Sequence, residues 1–129
     1  GNPVLVKPRL GQNGFRFRLI DTYGQCAVTQ EHSIPVLDAA HIIPYSAGGS
    51  HDISNGLLLR ADIHRLYDDG YVTVTPDHTF KVSDALHEDF SNGKHYYGMQ
   101  GTKIWMPASP ELQPKRENLE YHYASIFKA

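Results

Sequence analysis

His64 and Asp68 stand four residues apart in ADIHRLYDDG, residues 61–70. In a helix that interval puts an imidazole and a carboxylate on one face, a turn apart. A nitrogen and an oxygen so placed can share one divalent cation. The same interval also serves an ordinary surface hydrogen bond, so alone it decides little. His41 adds to it, following two alanines in VLDAAHII, residues 36–43, an otherwise apolar stretch. A histidine there is either a core residue with its hydrogen bonds satisfied or a general base, with small neighbours leaving room for a reactant. Asn55 comes 14 residues after His41 and 9 before His64. Its amide can accept the imidazole N–H of His41 or tie the loop backbone, and either would aim the base. The other reading of Asn55-Gly56 is a turn pair needing φ > 0. Taken together, the four positions suit hydrolysis by a histidine base beside a metal.

Local patterns supply elements to position them. Phe15, Leu19, Ile20 and Tyr23 fall at helical spacing over Gly14 to Tyr23, with Gly24 as the stop. Cys26 to Thr29 reads as a short strand and Val36 to Ile43 as a longer one, ended by Pro44. Residues 45–56 are a polar loop, and Leu57 to Leu59 is a second apolar strand. Asp62 is placed to cap a helix to about Asp69, with Gly70 as its stop. Tyr71–Thr75 and Thr79–Val82 alternate around Pro76-Asp77 as a hairpin. Ser83 caps a helix to Phe90, Lys103–Met106 reads as a strand, and a last helix fits Pro114 to Phe127. That helix carries Leu119, Tyr123, Ile126 and Phe127 on one face. Residues 1–10, with Pro3 and Pro8, read as an extended arm, and 11–129 as one α+β domain.

Composition sets limits. The chain has 129 residues, 40% hydrophobic and 20% charged, which is ordinary for a globular domain. No apolar run approaches the roughly 20 residues of a membrane span. No signal-peptide pattern opens the sequence, and one cysteine, Cys26, precludes an internal disulfide or a cysteine-based zinc knuckle. The reading is therefore cytoplasmic, with Cys26 as a small buried apolar residue. The formal charge of −2 argues against strong autonomous binding to DNA. It is uneven: Lys7, Arg9, Arg16 and Arg18 face one acid in the first thirty residues, against 8 basic and 13 acidic residues in the remainder. That basic segment suits a phosphate backbone or simply a solvated face.

LDAAHIIPYSAGG followed by NGLLLRADIHRLYDDG resembles the HNH endonucleases, the ββα-metal nucleases, in the bacterial branch with AAHI and NGLLL…HRLFD-type motifs. RLGQNGFRFRLIDTYGQCAVT and WMPASPELQPKRENLEYHYASIF resemble the flanks of that branch, so the likeness covers about residues 8–128. It implies a ββα-metal core flanked by helices and an extra β-hairpin. It also implies a metal-dependent DNA endonuclease, the cleavage module of a restriction or defence protein. His41 would be the base, Asn55 its orienting residue, and His64 a metal ligand beside Asp68. The one ion would be Mg²⁺ or Mn²⁺, with Zn²⁺ or Ni²⁺ also able to occupy a site containing imidazole. Double-stranded DNA, a fused or partner recognition domain, and a homodimer for double-strand cutting belong to the same expectation.

One position departs from the wider family. An acid or histidine often precedes the base, and here Ala40 does. Asp38 is the nearest acid; in an extended strand it lies two residues, about 6–7 Å, behind Ala40. It is thus a less direct third ligand, or a group that orients His64. The alternative is a non-catalytic nucleic-acid-binding module, which Ala40 favours and the retained His41, Asn55 and His64 oppose. Arg60 and Arg65 border the site. With Arg16 and Arg18 they are candidates for phosphate contact, ordinary surface arginines being the equal alternative. His51 and Asp52 read as loop residues, and His87, His95 and His122 as surface or packing residues. Trp105, Tyr96 and Tyr97 read as packing rather than base-stacking residues.

Overall fold

A computed structural model describes residues 11–129; the expected arm, with Lys7 and Arg9, lies outside the described residues. The first helix, α1, spans Gln12–Tyr23 and buries Phe15, Leu19 and Tyr23, one turn apart. It ends at Gly24, whose φ of 65° lets its N–H reach back to the Ile20 carbonyl. Phe15 and Leu19 are fully buried, each worth about 2 kcal/mol of apolar transfer.

Two antiparallel strands follow, β1 (Leu37–His41) and β2 (Gly56–Arg60), with Leu37 opposite Arg60 and His41 opposite Gly56. Helix α1 lies close against β2 at Gly56. A Cβ there would come within 2.8 Å of the Phe15 ring and 2.7 Å of Leu19 Cδ1, so the position excludes any side chain. Leu57, Leu58 and Leu59 are all fully buried, because this pair of strands is covered on both faces. Strand β2 passes into α2 (Ala61–Asp68) without an intervening loop. Helix α2 buries Ile63 and Tyr67 and turns His64, Arg65 and Asp68 outward. The order strand, strand, helix expected from the motif is present.

A second sheet pairs β3 (Val72–Val74) with β4 (Phe80–Val82) in the expected hairpin. Ser83 caps α3 (Asp84–Phe90), its hydroxyl accepting from Ala85 N. A short α4 (Lys94–Tyr97) follows, and α5 (Arg116–Ser125) closes the described chain. Among the described residues the architecture is a small mixed domain of five α-helices and two antiparallel sheets around one continuous core. Among the described residues no helix is long and apolar enough to cross a membrane.

Four local expectations differ from what the chain does. Cys26 to Thr29 is a turn closed by Gln30 N on the Cys26 carbonyl, with Gln30 at φ 63°. Cys26 is fully buried as expected, but its sulfur also accepts from Arg60 N at 3.2 Å. Lys103 to Met106 forms only a bridge to Thr79, since its N–H groups divide between His78 and Ala27 carbonyls and no ladder grows. Asp62 sits inside the first turn of α2, which has no side-chain cap; it pairs with Arg60 instead. Helix α5 begins two residues after Pro114, and its buried face is Leu119 and His122. His122 stacks on Tyr67 with ring centroids 3.7 Å apart, a polar residue that an apolar count passes over.

Candidate active site

The end of β1 and the outer face of α2 enclose a cleft of about 320 Å³ lined by Gln12, Ala39, His41, Tyr45, His64 and Asp68. The structure thus brings His41 to the same cavity as the His64–Asp68 pair. A larger cavity of about 430 Å³ lies between β4 and the C-terminal residues and holds none of the candidate residues.

His64 is held from both sides. Its Nδ1 lies 2.9 Å from Asp38 Oδ2, and its Nε2 lies 3.1 Å from Asp68 Oδ2. Both neighbours are carboxylates, which only accept, so both ring nitrogens donate and the imidazolium is favoured. The hydrogen bond to Asp68 raises the His64 pKa most, burial opposes it, and Asp38 adds to the rise. Asp38 and Asp68 engage opposite nitrogens of the ring. Asp38 therefore stands behind His64, in the place of a group that fixes the tautomer of a metal-binding histidine.

The donor chemistry fits a cation in part. Two cis ligands bonded at about 2.1 Å to an octahedral ion lie roughly 3 Å apart, and Nε2 and Oδ2 are 3.1 Å apart. Among the described residues no three His, Cys, Asp or Glu side chains converge as a cation cage. The two protein donors are one imidazole nitrogen and one carboxylate oxygen, so the remaining positions of a divalent ion would fall to water and phosphate. Ala40 is fully buried opposite Leu57, so its side chain faces the core and not the cleft.

Asn55 is buried and bonds only to main chain. Its Oδ1 accepts from Ile43 N at 2.9 Å, and its Nδ2 donates to the Ile43 and Ser50 carbonyls at 3.1 and 3.0 Å. Of the two roles open to it, the structure shows the loop tie. Gly56 has φ −137° and Asn55 is not in the left-handed region, so the turn reading does not apply. The tie is close enough that Gly49 must be glycine: a Cβ there would fall 1.8 Å from the Ile43 carbonyl oxygen.

The loop so tied carries His51, which no motif singles out. His51 Nδ1 lies 3.0 Å from His41 Nε2. Phe15 stacks on His41 with centroids 4.1 Å apart, and Tyr45 stacks on His51 at 4.8 Å. The signal available beforehand was only a histidine in the same loop as Tyr45 and Asn55.

The arginines divide. Arg16 donates to the Leu37 carbonyl at 2.8 Å and lines a pocket of about 180 Å³ with Asp38 and His64. Arg18 donates to the His51 carbonyl at 2.8 Å. Arg65 is exposed on α2. Arg60 is committed elsewhere, forming a bidentate pair with Asp62 at 2.7 and 2.9 Å and meeting His95 Nε2 at 2.8 Å. That pairing holds the Asp62 carboxyl down to about 2. Tyr96 donates to Asp62, Tyr97 to the Ser83 carbonyl, and Trp105 packs edge-on to Tyr23. These aromatic residues pack, as the sequence indicated.

Residues 26–75 match the sequence model of a family described as HNH endonuclease. The match spans β1, β2, α2 and β3, the segment that carries His41, Asn55, His64 and Asp68, and it agrees with the resemblance seen in the motifs. Among solved structures the chain is similar to a "Modification dependent TagI restriction endonuclease", with a TM-score of 0.59 and 18% identity. That alignment covers 88% of this chain and 37% of the other, so this chain spans little more than a third of its neighbour's length. The likeness is one of fold. No curated protein matches the chain.

Proposed function

We propose that this chain is a metal-dependent DNA endonuclease domain. The observation that carries the reading is the cleft itself, with a histidine at one wall and a histidine–carboxylate donor pair at another. Packing does not call for either group to face a common cavity. Once the ion displaces the proton on Nε2, His64 Nε2 and Asp68 would hold it, with Asp38 orienting His64 from behind. When bound, a divalent cation supplies Lewis-acid polarisation of the phosphate and stabilises the leaving oxygen.

The chain's own residues do the rest. His41 takes a proton from water as the oxygen attacks phosphorus. The bond to the 3′ oxygen breaks, leaving a 5′ phosphate and, once a proton is taken up, a 3′ hydroxyl. Asn55 holds the loop that forms the rim. Arg16, already bonded to the Leu37 carbonyl, has guanidinium N–H groups left to meet a phosphate beside Asp38, and exposed Arg65 is a second contact.

The acidic balance of the chain suits a domain that cuts while another supplies affinity. The neighbour's printed name, modification dependent restriction endonuclease, is in keeping with that division. In this reading the substrate is double-stranded DNA, the setting is intracellular defence in the cytoplasm, and two copies act for a double-strand cut. The rival reading, a non-catalytic binding module, drew on Ala40. That side chain lies in the core, so its lack of a donor group says nothing about the cleft.

The test is cleavage of supercoiled plasmid with Mg²⁺, Mn²⁺ or EDTA. Nicking that needs the metal and falls about 100-fold or more in His41→Ala is expected for loss of a general base. Cleavage that survives both EDTA and His41→Ala overturns the reading.

A further inference from the structure

The geometry points to His51 as a positioning residue that sets the tautomer of His41. This rests on the nuclease reading above, in which His41 must offer a lone pair to water. The two rings meet through His41 Nε2 and His51 Nδ1 at 3.0 Å, so one proton lies between them. If His41 Nε2 carries it, Nδ1 is the basic nitrogen of His41 and His51 is the acceptor. If His51 carries it, neutral His41 has its proton on Nδ1 and has no lone pair there. Only the first arrangement makes a base. It also serves the next moment, because the imidazolium formed at His41 then donates through Nε2 to a waiting acceptor.

His51 is fixed independently of His41. Arg18 holds its carbonyl at 2.8 Å, Asn55 holds the preceding Ser50 carbonyl at 3.0 Å, and Tyr45 stacks on its ring at an interplanar angle of 17°. On the other side Phe15 lies parallel to His41 within 9°. Each imidazole therefore has an aromatic face against it, and the two rings share one defined contact. His51 Nε2 is buried and has no hydrogen-bond partner among the described residues. An apolar side chain would fill the same place without leaving a ring nitrogen unpaired, so packing alone does not explain a histidine here.

The experiment is imidazole nitrogen NMR of the 129-residue chain, with plasmid cleavage measured on the same samples. Wild type should show His41 with its proton on Nε2. His51→Ala should leave a mixture of tautomers and lower kcat about tenfold with little change in KM. His51→Gln, whose carboxamide oxygen accepts the same N–H, should restore the tautomer and much of the rate. A proton on Nδ1 of His41 in wild type, or an unchanged tautomer in His51→Ala, overturns the assignment. A chain that cuts nothing while His41 keeps its tautomer through His51 overturns the nuclease reading and leaves the pairing standing.

Discussion

His64 and His122 meet opposite surroundings in the two halves of this molecule. His64 lies at the cleft between Asp38 and Asp68, part exposed, and both its nitrogens donate. His122 sits on α5, buried against α2 and the hairpin, with Nε2 2.9 Å from the Tyr67 carbonyl and Nδ1 2.7 Å from Thr73 Oγ1. A carbonyl only accepts, so Nε2 must carry the proton and Nδ1 must accept from the hydroxyl. One site favours the charged ring and the other the neutral one. Residue type fixes neither outcome; the partners across the fold fix both.

The comparison breaks most visibly in acid. Burial pushes the His122 pKa down to about 4, from an ordinary 6.5. Above pH 6.5 the ring is neutral in both states and its contribution is complete. As pH falls from 6.5 towards 4 the unfolded chain takes a proton that the folded chain refuses, so stability falls, by on the order of 3 kcal/mol in all. Urea unfolding across that range should show this slope, and His122→Gln should flatten it. An equal slope in both would remove His122 from the account.

A smaller effect sharpens the other side. Asp38→Ala leaves His64 and Asp68 in place but frees the ring to rotate and to change tautomer. Calorimetric titration with Mn²⁺ should show affinity lower by about tenfold. An unchanged affinity would mean that Asp38 does not act through His64. The smallest effect concerns Arg60. Its pairing with Asp62 and His95 is structural, so Arg60→Ala should cost about 1 kcal/mol of stability. DNA affinity should stay the same within error; a large loss of binding would return Arg60 to the phosphate-contacting set.

The cleft was more legible in the sequence than its surroundings for a physical reason. His64 and Asp68 are spaced by one helical turn, and β1 and β2 declare themselves by apolar runs, so local rules suffice to put them on their elements. The hairpin and the Ser83 cap follow from equally local chemistry. His51 and His122 have meaning only through partners 10 and 55 residues away, which no local periodicity pairs with them. Lys103–Met106 failed as a strand because strandedness depends on who accepts its N–H groups, and two different segments do. Arg60 borders the site along the chain, which suits a phosphate contact or an ordinary surface arginine alike, and its pair with Asp62 appears only once the helix start is placed.

Asn55 has a consequence for how such a domain can vary. Its three bonds all end on main-chain atoms of Ile43 and Ser50. A side chain that recognises only backbone is indifferent to the side chains of the residues between. Positions 46 and 47 can therefore change identity while the loop keeps its path, provided Gly48, at φ 91°, and Gly49 stay glycine. Ser46 is one of them, and it lines the cleft. The rim is thus the part of the molecule where inheritance can alter what is admitted while the groups beneath it stay where they are.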